Sequence, residues 1–155
     1  MENIEASCSI SLDQAKNYIY SLDFSRLTEK LINHGGWLRD DVEETCVQYR
    51  NYFFLLKKYA SSDYQSLPPS EDIDEFWHQH ILDTNAYVKD CELIFGKFLH
   101  HYPYLGIDGK TDFQYLNNAF QQTQALYYRE FGVYMTPTKS RYPKVLYFFM
   151  KKLSK

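Results

Sequence analysis

Four of the five histidines fall between residues 78 and 101, His78 and His80 in DEFWHQH and His100 and His101 in KFLHHYP. Imidazole nitrogen is a common transition-metal ligand, and histidine is the side chain whose charge changes near neutral pH. A cluster of this kind marks where metal or acid–base chemistry could occur. Residues of a helix turn by about 100° each, so His78 and His80 stand about 200° apart and cannot ligate one ion together. With Phe76 as origin, His80 falls at about 40°, on an apolar face with Ile73, Trp77, Tyr87 and Cys91, and with Thr84 one turn on. His78 falls at about 200°, on a polar edge with Asp74, Asn85 and Glu92.

The two positions imply different roles. An imidazole on an apolar face needs hydrogen-bond partners, and His80 reads first as a core histidine bonded to a Thr, Asp or Tyr, with Thr84 and Asp83 in reach and a ligand or catalytic role as the alternative. Together with Trp77, Thr84 and Tyr87 it forms the structural heart of the segment. His78 has Asp74 four residues before it, the spacing of the two ligands in HExxH sites; an exposed Asp–His pair has the same spacing. His100 and His101 stand where a helix gives way to loop. In extended backbone they point in opposite directions, so at most one joins a site with the helix. The metal set implied is Asp74 and His78 with one of His100 or His101, three ligands plus water, which suits zinc or iron. Cys91 would lie about 16 Å along an unbroken helix from His80, too far to share an ion, and reads as core.

The elements that must position these residues read as helices. Ser11 and Gln14 form a capping-box pattern that starts a helix at Leu12, ending near Leu22. DFSRLTEKLINHGG reads as a second helix stopped by Gly35 and Gly36. A third begins near Asp40, with Val42, Cys46, Tyr49, Phe53 and Leu56 as its apolar stripe. Pro68 and Pro69 hold the next stretch as loop. Ser70 then caps a fourth helix, with Glu71, Asp72 and Asp74 at its positive end, running to about Phe95. Gly96 permits a turn that buries Phe98 and Leu99 and brings HHYP back onto the fourth helix. Thr111 and Gln114 give another capping box for a fifth helix, reaching Phe131. YPKVLYFFMKK reads equally as a short helix or a strand. Nothing alternates with period two for long, so the expected fold is all-α, an irregular bundle of five to six helices. At 155 residues it is expected to be one domain, with a core over residues 12–132 and a basic extension over 133–155.

Composition narrows the function classes. A net charge of −3 offers no field for nucleic acid or an anionic membrane, and the basic C-terminal run reads as a solvated tail. Aromatics at 18% foretell a core rich in tyrosine hydroxyls that need partners. Cys8, Cys46 and Cys91 lack CxxC spacing and are odd in number, which points to reduced thiols rather than a disulfide framework. The acidic N-terminus has no apolar run of a Sec signal, and no apolar stretch is long enough to span a membrane. Cytoplasmic placement is the expectation, with delivery into another cell as a further possibility.

The segment PSEDIDEFWHQHILDTNAYVKDCELIFGKFLHHYPYLG resembles the glycine-rich domain-containing protein-like family, as do LDFSRLTEK, Trp37 and AFQQTQALYYREFG. The resemblance implies a helical domain with Trp77, His78, His80, His100 and His101 as signature positions, and supplies no catalytic residue. The glycine-rich tail of the plant members is absent, since the chain has six glycines. The reading placed first is a helical module that binds a protein or small ligand through exposed aromatics. The alternative is a metal-binding protein or metal-dependent enzyme built on the histidine cluster. A regulatory factor acting inside another cell comes third.

Overall fold

The structure, a computed structural model, describes residues 10–60 and 64–138. Among the described residues there are six α-helices and no strand. They are α1 (Leu12–Ser21), α2 (Ser25–Asn33), α3 (Arg39–Tyr59), α4 (Glu71–Leu82), α5 (Thr84–Phe95) and α6 (Lys110–Phe131), with one 3-10 turn at Tyr64–Ser66. The fold is the expected all-α bundle.

The α1 capping box forms as its residue types require: Gln14 N–H donates to Ser11 Oγ at 3.2 Å and Ser11 N–H to Gln14 Oε1 at 2.9 Å. Helix α3 is the centre, packed by α1, α2, α4 and α6. Its expected stripe is buried, but so are Tyr52, Phe54 and Leu55 on other faces. With neighbours on several sides, several polar side chains on this helix find partners inside the bundle. Tyr52 O–H donates to the Leu67 carbonyl at 2.8 Å and Asn51 Nδ2–H to the Tyr127 hydroxyl at 2.9 Å. Arg50 donates to the Leu22 carbonyl at 2.8 Å.

The expected fourth helix is two helices. Asp83 (φ −83°, ψ 71°) ends α4 and begins α5, and the chain turns back on itself there. Ten residues of unbroken helix would part His80 from Asp90, and Trp77 from Tyr87, by about 15 Å. Instead the first pair is 2.9 Å apart and the second 3.0 Å. The break also resets the helical phase: Thr84, expected in the core, is exposed, as is Val88, while Asp90 is buried. The 16 Å separation of His80 from Cys91 fails for the same reason, although Cys91 is core as expected.

Two further expectations are corrected. Thr111 and Gln114 form no capping box; α6 starts at Lys110, and Gly109 before it offers no side-chain cap. Asp112 instead accepts from the N–H groups of Gly106 (2.6 Å) and Asp108 (3.2 Å), pinning the preceding loop. Of the pair after Gly96, Leu99 is buried but Phe98 is 40% exposed.

Beyond α6, residues 133–138 cross the bundle. The Gln124 amide pairs with both N–H and C=O of Met135, and that of Gln48 with those of Thr136. Thr138 N–H donates to Asp72 at 2.8 Å. YPKVLYFFMKK and Cys8 lie outside the described residues; Cys46 and Cys91 are buried free thiols. No helix among the described residues is long and apolar enough to cross a membrane.

Candidate metal centre

Ser70 caps α4 by accepting from Ile73 N–H at 3.4 Å. One helical turn then carries Asp74 and His78 on one edge and, between them, Phe76 and Trp77 facing inward. After α5, Gly96 takes the left-handed conformation (φ 70°) that ends the helix and turns the chain back.

The returning loop is held at both ends. At its start, Trp77 Nε1–H donates to the Tyr87 hydroxyl (3.0 Å) and Tyr87 O–H donates to the Leu99 carbonyl (2.6 Å), all within the core. Burial raises the Tyr87 hydroxyl far above the usual tyrosine range, so it remains a donor. At its end, Gly106 (φ +90°) lies against Leu116 of α6 so closely that a Cβ there would meet Leu116 Cδ2 at 2.3 Å. Between these anchors His101 lies over α4, its ring 4.5 Å from that of Trp77.

His101, His78 and Asp74 converge. His101 Nε2 is 2.6 Å from Asp74 Oδ1, His78 Nε2 is 3.3 Å from Asp74 Oδ2, and the two Nε2 atoms are 3.1 Å apart. Ligands at 2.0–2.1 Å around a tetrahedral ion stand about 3.3 Å from one another. The two imidazole nitrogens stand near that spacing, and they approach different oxygens of Asp74, one of which would serve as the third ligand atom. Each of the three residues offers one ligand atom, so they could hold an ion. His101 is mostly buried, while Asp74 and His78 remain a third or more exposed, which leaves room for water. His100 is exposed, packs on Phe98 at 4.7 Å, and does not enter the group, although it borders the same cleft.

A cleft of ≈ 190 Å³ opens beside the group, with Asp74 and His101 in its wall. Tyr52 also lines it, its hydroxyl raised well above the ordinary range by burial first and then by the Asp74 charge.

His80 belongs to a separate, closed network. It is 2% exposed. A carboxylate oxygen only accepts, so His80 Nε2–H donates to Asp90 Oδ2 at 2.9 Å, and Nδ1 accepts from Tyr49 O–H at 2.7 Å. Tyr18 O–H donates to the other Asp90 oxygen at 2.6 Å. The partners are thus a Tyr and an Asp, residue types expected for a core histidine, but not Thr84 or Asp83, the two in reach along the helix. Tyr49 could have been suspected from its stripe position; Asp90 could not, because it becomes a neighbour only through the break at Asp83.

A family model described as UCP032817-like matches residues 14–130. The chain belongs to the UCP032817-like family. This corrects the resemblance to the glycine-rich domain-containing protein-like family, drawn from segments spread over roughly residues 12–132; the family matched over most of the chain is a different one. No curated protein and no solved structure matches. The family is an uncharacterised one, so the chemistry of this UCP032817-like chain must be argued from its own side chains.

Proposed function

We propose that the protein binds a divalent transition metal, zinc or iron, through Asp74, His78 and His101, and uses it on a small molecule in the adjoining cleft. The observation that carries this reading is the convergence of two imidazole Nε2 atoms, 3.1 Å apart, with one carboxylate against both. Two imidazoles and a carboxylate with positions left for water form the donor set of catalytic zinc and of non-haem iron sites. In such a site the ion lowers the pKa of bound water or polarises a substrate oxygen. The anchoring of Leu99 through Tyr87 supports the same reading, since it fixes the backbone two residues from His101.

Elemental analysis of protein purified without chelator tests it. About one metal ion per chain is expected, lost with His78→Ala or His101→Ala and kept with His100→Ala. Less than about 0.2 per chain, after offering zinc and ferrous iron in turn, overturns it.

A protein-binding module is the second reading. It draws on the loop and the start of α6, where Tyr104, Ile107, Phe113 and Tyr115 are each more than half exposed. Self-association is its directly testable form. Sedimentation that shows a dimer, weakened by Phe113→Lys, supports it; a monomer at all concentrations counts against it.

A further inference from the structure

We infer that the ligand of this cleft is a flat aromatic molecule bearing a metal-binding oxygen, neutral or positively charged in its body rather than anionic. The inference rests on the metal reading above and names what the metal would act on.

The depth of the cleft is ring surface. Tyr52 and Trp77 line it and are almost fully buried. Their polar atoms are engaged elsewhere, the Tyr52 hydroxyl on the Leu67 carbonyl and the Trp77 Nε1–H on Tyr87. What they present to the cleft is therefore carbon. Tyr64 and Tyr102, less buried, line its accessible part, and prolines at 68, 69 and 103 add rigid apolar surface. Aromatic rings favour offset or edge contacts with another ring. Such a surface, with a few polar groups gathered at one place, is the usual make-up of a small-molecule site. Here the gathered polar groups are Asp74 and His101, the wall shared with the proposed metal centre.

Size and charge narrow the class. An apolar cavity of about 150 Å³ accepts benzene, so ≈ 190 Å³ accommodates one six-membered ring and a short linking group. The charged lining residues are Glu71 and Asp74, and no Lys or Arg is among the described lining residues. Lys97, whose ammonium lies 5.1 Å from the Tyr64 ring centre, is not one of them. Among these described lining residues an anionic substituent beyond the metal finds no lysine or arginine to pair with.

Hydroxamates separate the parts of the inference, because the hydroxamate group chelates the metal while the body occupies the cleft. Cobalt(II)-loaded protein is titrated with acetohydroxamate, benzohydroxamate and 4-carboxybenzohydroxamate, followed by the visible cobalt spectrum and corrected for their affinities for free cobalt. Benzohydroxamate is expected to bind at least roughly tenfold more tightly than acetohydroxamate. Tyr102→Ala should narrow that gap and leave the cobalt spectrum unchanged, and the 4-carboxy compound should bind more weakly than its parent. Equal affinities for the acetyl and phenyl compounds on cobalt-loaded protein overturn this proposal alone. Tighter binding of the carboxylate compound overturns its charge requirement. Failure to take up cobalt overturns the metal reading and this proposal with it.

Discussion

Removing the His80 ring should be the most costly single change at any histidine in the bundle. The ring is 2% exposed and ties Tyr49 to Asp90, which are themselves 0% and 6% exposed. Four aromatic rings, those of Phe24, Tyr49, Phe53 and Tyr87, have centroids within 6.0 Å of it. In His80→Ala a buried carboxylate keeps only Tyr18, a buried hydroxyl loses its acceptor, and a cavity opens among rings. Breaking a buried pair by deleting one partner costs about 3–5 kcal/mol, more than the ~1–3 kcal/mol due for one unsatisfied neutral group. The expected loss is therefore about 3–5 kcal/mol, a large part of a typical 5–15 kcal/mol stability. Urea melts followed by far-UV circular dichroism measure it, with an unchanged slope showing that two-state behaviour survives. Tyr49→Phe, which removes only the donor to Nδ1, should cost about 1–2 kcal/mol and serves if His80→Ala does not fold. His78→Ala, at a site more than a third exposed, should change stability by less than about 0.5 kcal/mol without metal. A loss under ~1 kcal/mol for His80→Ala, or a larger one for His78→Ala, refutes the assignment of His80 to the core network.

Trp77→Ala should cost about 3–5 kcal/mol, since it removes a 4%-exposed indole and the donor to Tyr87; a loss under ~1 kcal/mol in the same melts would show that the indole carries little packing. Gly106→Ala should destabilise by at least about 1 kcal/mol, through its positive φ and the clash with Leu116, and Leu116→Ala in the same chain should relieve only the clash; a neutral thermal-melt shift for Gly106→Ala contradicts the loop geometry. Burial raises the hydroxyls of Tyr49, Tyr52 and Tyr87 and pushes Tyr127 up to about 12. An acid whose folded pKa lies above its unfolded value near 10 gives stability that is intact below pH 10 and lost as pH rises toward and beyond 12. Absorbance at 295 nm should thus show a group of tyrosines that ionises only with alkaline unfolding; a single titration centred near pH 10 with the helices intact would contradict their burial.

Much of the fold lay in local chemistry. The Ser11–Gln14 box, the Ser70 cap, the glycine stop after α2 and the stripe from Val42 to Leu56 depend on interactions within one helix, so residue type and spacing sufficed to read them. The all-α class and the inward phase of His80 over Phe76–His80 follow from the same periodicity. Thr111–Gln114 misled because a capping pattern records what residues can do, and Asp112 with two loop N–H groups met the need another way. The break at Asp83 had one faint signal, the polar Asp83-Thr84-Asn85 run inside an otherwise continuous helical pattern. Periodicity alone continues through such a point, whereas burial of both α4 and α5 requires the chain to fold back. From that turn follow the exposure of Thr84, the His80–Asp90 bond and the Trp77–Tyr87–Leu99 chain that holds the loop. The sequence could nominate Asp74, His78 and a histidine of the 100–101 pair; only the tertiary structure could choose between those two. In extended backbone they face opposite ways, and the side that meets α4 depends on how Leu99 and Gly106 are anchored by residues far away in the chain. Those contacts put His101 against Trp77 and turn His100 outward.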